Sequence, residues 1–432
     1  MHSLDTSMHK YVFCSSERRM DQSGMINSFY ENSIGAQVRE ETMNSIILRC
    51  RYLSGINNKS AREYVRRMWR SVEELFDKEK FDLVLTCAVD NYVLDIIYHV
   101  ASQRKILALQ PRKSPLPGLT RITNSCDHPK LREVEYSEAS AVLDLLNDGF
   151  KAQYQKNTQK DNLKPLKRAV RELCKKPIFE LWKKIYRDPL SFHYNTIFPN
   201  KNAITVSSLA QIGANRYFNK LIDDLGEVIP NYDKVIFWPL SMSPESAINY
   251  LNKDYRLSDY KYLMEIIVAA LPDNWCLIIK EHPSAIGYRP VDHYTSLLSK
   301  DNVLRASMAL STSQIISLSD AVLLTTAGTT GLEAVALGKN VLSIGSCHYK
   351  FGSNIKEINS ISNVGNWSTE IEFLEIEKSR KIEIIRNYLT NTVDKATWGP
   401  RPSINYKERI RRTAETCISL ANSGYFVEYF DN

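Results

Sequence analysis

Ala321–Gly338 reads AVLLTTAGTTGLEAVALG. An apolar run enters a turn of threonines around Ala327 and Gly328, and a helical pattern carrying Glu333 follows. A strand that ends in small residues lets backbone N–H groups approach an anion. The helix after it points its positive end at the same place. Upstream, Lys280-Glu281-His282-Pro283 closes a second apolar run, WCLII. The two strand ends make a nucleotide-sugar site the leading expectation. The stretch is neither a GxxxxGK[ST] phosphate loop nor a GxGxxG turn.

Outward from this stretch, short apolar strands alternate with helical patterns, as in α/β proteins with parallel sheets. A block beginning near Lys234 predicts strands at Val235–Leu240, Trp275–Lys280, Val303–Arg305, Ala321–Thr325 and Asn340–Ile344. Its expected helices cover Ser258–Leu271, Thr312–Ser317 and Gly331–Leu337. An earlier block predicts strands at Tyr11–Cys14, Phe81–Val89 and Lys105–Leu109, with helices over Ala61–Asp77 and Asn91–Ser102. PRKSPLPG, Pro111–Gly118, predicts a loop. Lys151–Arg187 is basic and helical in pattern, with prolines at 165, 177 and 189 in and beside it. It is either a solvated surface hairpin or a basic rim for an anionic acceptor or lipid headgroups. The expected division is an N-terminal acceptor domain over 1–230 with a basic insertion at 151–190, and a nucleotide-sugar domain over 231–400. A basic helix within 401–432 would pack back on the first domain.

At 432 residues the chain is long enough for two such domains. Its residues are 43% hydrophobic and 24% charged, as in a soluble globular protein. A net charge of +7 is too mild for a dedicated nucleic-acid binder and suits an anionic ligand or an anionic membrane surface. The eight cysteines form no CxxC pair, and several sit in apolar runs. Free thiols in a reducing cytoplasm are expected, not zinc ligands. The first residues show no basic-then-apolar leader pattern, and no run approaches bilayer length. The expectation is a cytoplasmic protein, either free or peripheral to a membrane.

Ligands of open α/β sheets bind outside the carboxyl ends of the strands, so the residues there are the candidates. If two such sheets face each other, those ends converge on an interdomain cleft. Pro283 disfavours helical geometry at His282, which would keep the imidazole at the strand edge as a phosphate donor; the alternative is a core histidine. Thr325, Thr326, Thr329 and Thr330 around Gly328 suit an anion nest, where an ordinary helix cap needs one threonine. Glu333 either accepts ribose or sugar hydroxyls or stabilises the helix end. Glu245, after Pro244, either contacts a substrate or starts a helix. Asp90 ends the most buried strand of the first block and is a candidate nucleophile or base, with helix capping as its plainer role. Asp95, inside the helix, is the weaker candidate. Arg49, Arg51 and Arg112 are further cations near strand ends or loops, each able to grip a carboxylate or phosphate or simply to sit in solvent.

FWPLSMSPES, IIKEHP and LLTTAGTTGLEAVALGKNVLSIG, in this order and spacing, resemble the capsule polysaccharide biosynthesis glycosyltransferases. Within that group they look like the bacterial Kdo (3-deoxy-manno-octulosonate) transferases. The likeness is good over Val235–Gly352 and weaker over RCRYL (Arg49–Leu53), FDLVL and PRKSPLPG. It does not extend specifically to Lys151–Asn200 or beyond Asn354. The resemblance implies a GT-B architecture: two Rossmann-like domains facing a central cleft, with the nucleotide on the second. It implies transfer of Kdo or a related ulosonic acid from a CMP-sugar to a surface glycan or glycolipid, without a metal or cofactor, at or near the inner membrane. His282-Pro283 and Thr325–Thr330 would hold the CMP phosphate and ribose, and Asp90 would act at the anomeric carbon. Arg112 or Lys280 would meet the ulosonate carboxylate. Ser241-Met242-Ser243 departs from the usual polar and aromatic run at that point. That region, Ser243 included, would touch the donor sugar, which is then either Kdo or a different sugar. A UDP-sugar donor, or a non-catalytic assembly or export factor, are the alternatives.

Overall fold

The computed structural model describes residues 11–14, 28–29, 31, 35–86, 88–124, 127–148, 225–226, 229–243, 246–282, 289, 291–307, 310–326, 328–347, 355–394 and 406–429. These fall into two compact units. The described parts of Met1–Arg132 and Asn391–Asn432 form the first, and those of Glu133–Arg187 and Pro199–Thr390 the second. The basic stretch Lys151–Arg187 lies outside the described residues, as do Pro244, Glu245 and Pro283.

The first unit holds strands β1 (Tyr11–Cys14), β2 (Leu83–Thr86), β3 (Leu107–Lys113), β4 (Leu119–Thr123) and β11 (Thr392–Asp394), hydrogen-bonded in that order. β1, β2 and β3 are parallel; β4 and β11 run antiparallel to their neighbours. Its helices are α1 (Glu40–Arg49), α2 (Asn58–Lys78), α3 (Tyr92–Gln103) and α13 (Tyr406–Asn422). α2 begins where the Asn57 side chain accepts the Ser60 N–H at 2.8 Å. It buries Val65, Met68, Val72, Leu75 and Phe76 along one stripe. α13 seats Cys417 against Leu83, Leu85, Leu107, Leu109 and Ile122 on one face of the sheet.

PRKSPLPG is not wholly loop. Pro111, Arg112 and Lys113 extend β3 and pair with Ile122, Arg121 and Thr120 of β4, making a hairpin with its turn at residues 114–118. Pro111 is tolerated because the pairing of β3 with β2 reaches only Leu109.

The second unit holds β5 (Lys234–Pro239), β6 (Trp275–Lys280), β7 (Val303–Arg305), β8 (Ala321–Thr325), β9 (Asn340–Ile344) and β10 (Ile355–Ile358). All pairings are parallel, in the order β10-β9-β8-β5-β6-β7. This is the doubly wound Rossmann order, with its topological switch point between β5 and β8. Near-continuous burial of β5, β6, β8 and β9 is what a sheet covered on both faces requires. Its helices are α4 (Tyr136–Asn147), α5 (Ser246–Tyr250), α6 (Tyr260–Ala269), α7 (Val291–Leu297), α8 (Thr312–Leu318), α9 (Thr330–Ala336), α10 (Ile361–Val364), α11 (Trp367–Glu370) and α12 (Lys378–Thr390). α8 opens on a capping box: Ser311 accepts from the Gln314 N–H, and Gln314 accepts from the Ser311 N–H. One core runs through Trp238, Met264, Ile267, Leu277, Leu323, Leu342 and Trp367, whose indole N–H reaches the Ile267 carbonyl at 2.9 Å.

The unit boundaries differ from those expected from sequence. α4, placed by sequence in the N-terminal domain, belongs to the second unit because it packs on α9 and α12. The first unit resumes at Asn391, whose side-chain amide donates to the carbonyls of Ile122 and Pro129, both at 2.8 Å. Among the described residues no helix is long and apolar enough to cross a membrane.

Candidate functional site

At the switch point, the chain leaving β5 is tied directly to the end of β8. Ser241 Oγ donates to the Thr325 carbonyl at 2.9 Å and lies 3.0 Å from Thr325 Oγ1. The Tyr260 hydroxyl, from α6, accepts the Ser241 N–H at 3.0 Å and lies 3.2 Å from Thr325 Oγ1. Arg289 donates to the Ser241 carbonyl at 2.7 Å. The same guanidinium grips Glu281, Nε to Oε2 at 2.7 Å and Nη2 to Oε1 at 2.8 Å. Tyr294 donates to Glu281 Oε2 at 2.6 Å, and the His282 N–H donates to Oε1 at 2.7 Å. Glu281 and Arg289 are each only 2% exposed. Burial alone would lower the Arg289 pKa; the Glu281 carboxylate outweighs it and raises the pKa, so the guanidinium stays charged. This buried bidentate pair ties down the backbone at both Ser241 and His282.

The turn after β8 divides the four threonines into two kinds. Thr325 and Thr326 are buried, while Thr329 and Thr330 are half-buried and Gly328 is exposed. Thr326 has φ of +65°, a left-handed conformation that a β-branched residue rarely adopts. It is held by its N–H to the Ile344 carbonyl at 2.9 Å and by the Gly328 N–H to its own carbonyl at 3.0 Å. Strain of this kind persists only where surrounding structure fixes it, and it clusters at ligand sites. Thr329 precedes α9 but makes no side-chain cap bond, so the plain capping role does not account for it. Beside the turn, Gly345 has φ of +93°, and a Cβ there would lie 2.0 Å from Asn252 Oδ1 and 3.3 Å from Thr326 Cγ2.

His282 keeps an exposed edge, yet burial of the rest of the ring lowers its pKa below 6.5, so the imidazole is neutral at pH 7. It can donate one hydrogen bond without bringing a charge. Lys280 donates to the Leu310 carbonyl at 2.5 Å. Burial lowers its pKa, and the Glu333 carboxylate partly opposes that. Burial likewise pushes Glu333 up to about 7, against the pull of Lys280. The ends of β6 and α9 thus share one ionisable pair. Ser243 is half-buried on the segment after β5.

In the first unit, Asp90 is not the helix cap. The Asn91 side chain takes that role, accepting the Leu94 N–H at 2.9 Å. Asp90 is left half-buried, with Oδ1 accepting from Arg51 Nη2 at 2.7 Å. Asp95 is wholly buried and accepts from the Tyr429 hydroxyl at 2.7 Å, with Arg49 3.8 Å and His99 3.9 Å away. That is a structural post for the chain's last described residue, not an accessible acid. Arg112 donates to Gln110 Oε1 from Nε at 3.1 Å and from Nη2 at 2.6 Å.

The structure therefore gathers Ser241, Thr325, Thr326, His282, Lys280 and Glu333 in the second unit and places Asp90 and Arg112 in the first. Sequence reading missed Tyr260, Arg289 and Tyr294. A signal existed for one of them: an arginine seven residues past His282 near a buried strand end. Nothing local marks the tyrosines, whose partners lie 13 to 65 residues away. Among the described residues no group of three or more His, Cys, Asp or Glu is placed to hold a metal. The four cysteines Cys50, Cys276, Cys347 and Cys417 are free and buried.

No curated protein matches the chain. Among solved structures it is similar to the Thermosulfurimonas dismutans KpsC, a beta Kdo 2,4 transferase, at 13% identity and TM-score 0.33, over 72% of this chain and 80% of that one. It is similar to the Neisseria meningitidis UDP-GlcNAc 2-epimerase bound to UDP-GlcNAc at 13% identity and TM-score 0.25, over 88% and 96%. HepE of Anabaena in complex with UDP-glucose gives 11% and 0.26, over 85% and 84%. Overlays this loose carry no inference about substrate. The model of one protein family matches residues 158–353, and that segment spans the β5 end, the Lys280-Glu281-His282 edge and the threonine turn. The family so matched, and the one to which the motifs pointed, is that of the capsule polysaccharide biosynthesis proteins.

Proposed function

We propose that this chain is a glycosyltransferase of capsule or related surface-glycan assembly. Its donor is a CMP-activated sugar, Kdo or a related ulosonic acid, taken up at the carboxyl ends of β5 and β8. The observation that carries the reading is the strained Thr326 turn at the switch point of a Rossmann-ordered sheet, tied through Thr325 to Ser241, which the buried Arg289–Glu281 pair joins to His282. A rigid, preorganised set of donors is what a departing phosphate needs. Gly328, Thr329 and Thr330 would face the phosphate, His282 would donate to it as a neutral imidazole, and Glu333 would accept from the ribose. Ser243, with Glu245 and Pro283 beyond the described residues, would complete the donor contacts.

In the transfer, the bond from the anomeric carbon to the CMP phosphate breaks and a bond to an acceptor hydroxyl forms. Asp90 would take the hydroxyl proton if configuration inverts. If it is retained by double displacement, Asp90 would first form the ester, with its Oδ2 as the attacking oxygen while Arg51 holds Oδ1. The protein would work at the cytoplasmic face of the inner membrane, with neither a metal nor a cofactor.

Melting curves with CMP, UDP and GDP test the donor, since a ligand bound only by the native state raises the transition. CMP should give the largest rise, and His282→Ala or the double change Thr329→Ala, Thr330→Ala should weaken it roughly tenfold or more, the scale of one lost hydrogen bond to a charged group. A rise with UDP alone would replace the donor with a UDP-sugar. CMP binding without turnover of any CMP-sugar would favour an assembly factor. Full activity of Asp90→Ala would remove Asp90 from the chemistry.

A further inference from the structure

Arg289 carries one nitrogen that its own fold leaves unused. Nε and Nη2 hold Glu281, and Nη2 also reaches the Ser241 carbonyl. Nη1 is buried and has no hydrogen-bond partner. Glu281, by contrast, is well supplied: its two oxygens accept from Arg289, from the Tyr294 hydroxyl and from the His282 N–H. The pair therefore lacks an acceptor on the arginine side. A buried donor without an acceptor is costly, and more so on a charged group.

The direction of the open N–H follows from the shape of the group. A guanidinium is a planar, fixed fork of five N–H donors. With Nε and Nη2 turned to Glu281, the second Nη2 N–H leaves by the adjoining edge and meets the Ser241 carbonyl. One N–H of Nη1 leaves by that same edge, parallel to it. Ser241 stands at the switch point, bonded to Thr325 at the end of β8. The Tyr260 ring lies 5.1 Å from the guanidinium carbon and packs against it. The fork is thus held in place before any ligand arrives. The donor contacts assigned above serve phosphate, ribose and the segment after β5, and none is matched to the carboxylate of an ulosonic sugar. Lys280, one of the cations expected to meet that group, donates instead to the Leu310 carbonyl.

We propose that Nη1 of Arg289 binds the carboxylate of the donor's sugar and so selects acidic sugars over neutral ones. The inference rests on the CMP-sugar reading above and adds to it a residue that determines specificity. A carboxylate oxygen gives the open nitrogen a charge-assisted bond, while a sugar lacking that group leaves a buried donor unpaired.

The test titrates the full chain with CMP, with CMP-Kdo and with the carboxyl methyl ester of CMP-Kdo. The wild type should bind the acid about tenfold or more tighter than the ester, the scale of one hydrogen bond between charged groups. Arg289→Lys keeps a positive charge beside Glu281 but loses the fork, and should bring that ratio close to one. Its affinity for CMP should fall less than its affinity for CMP-Kdo. Purely structural damage would weaken acid and ester alike and leave the ratio standing. Should Arg289→Lys fold poorly, the double change Glu281→Gln, Arg289→Gln removes both buried charges together and should abolish the ratio in the same way. Equal binding of acid and ester by the wild type, or a ratio that survives in the variants, overturns the contact. A loss in Arg289→Lys as large for CMP as for CMP-Kdo places the bond on phosphate and overturns the assignment to the sugar. Binding of neither CMP nor CMP-Kdo by the wild type overturns the donor reading, and this contact with it.

Discussion

Glu333 is a carboxylate whose titration belongs to the fold and not to the unfolded chain. Burial raises its pKa from 4.5 to about 7, with Lys280 pulling the other way. The native state therefore binds a proton that the unfolded state has released between those values. Stability from this group is full below pH 4.5 and is lost as pH rises through about 7. Glu333→Gln removes the titration. The variant should gain about 1–2 kcal/mol on the wild type between pH 5 and pH 8, a shift discounted for the partial exposure of the site. Denaturant melts at the two pH values measure it; parallel curves for the two proteins would show that Glu333 titrates normally. Thr326 illustrates a different residue-scale point. Its composition as one of four threonines is visible in the sequence, but its left-handed backbone is not, because the φ of +65° is imposed by the Ile344 carbonyl across β9.

At the scale of the element, the strand–turn–helix unit from β8 to α9 was legible because its signal is local: an apolar run, small residues, a helical pattern. The hairpin of β3 and β4 was not. Pro115 and Pro117 mark a turn correctly, but the three residues Pro111, Arg112 and Lys113 become strand only because β4 lies alongside them. The pairing that decides their state is non-local, and so is the one that buries Arg121 opposite Arg112. The turn around the switch point makes a prediction of its own through its two glycines. A Cβ on Gly345 would collide with Asn252 Oδ1 at 2.0 Å and sit at φ of +93°. Gly345→Ala should cost about 2–4 kcal/mol, the sum of a left-handed backbone and an overpacked contact. A Cβ on Gly328 meets only the Thr330 nitrogen at 4.0 Å. Gly328→Ala should leave stability within about 1 kcal/mol. It should still lower CMP affinity, because the methyl projects into the space assigned to phosphate. Equal effects of the two changes on melting would show that the turn is not shaped as described.

At the scale of the whole molecule, the chain comprises two units with separate cores, one gathered on Trp238 and Trp367 and the other on the sheet face under Cys417. The alternation of strands and helices in the sequence was enough to expect two α/β blocks. It could not show that the first unit is completed by its last described segment, because that contact spans the chain. Tyr429, 1% exposed, donates to Asp95 at 2.7 Å, and its N–H donates to Ser102 Oγ at 2.8 Å. Its ring lies 5.0 Å from Tyr98 and 4.9 Å from His99. Asp95 is buried with Arg49 only at 3.8 Å, so the tyrosine hydroxyl is its close donor among the described residues. Tyr429→Phe keeps the ring packing and removes that donor, leaving a buried carboxylate short of a bond. The cost should be about 1–3 kcal/mol. Because Tyr429 and all its partners lie in the first unit, the loss should fall on that unit's unfolding, while the rise in melting caused by CMP on the second unit persists. Scanning calorimetry with and without CMP reads both. A single transition that Tyr429→Phe lowers together with the CMP-dependent rise would mean that the two cores unfold as one, and the division of labour between them would have to be redrawn.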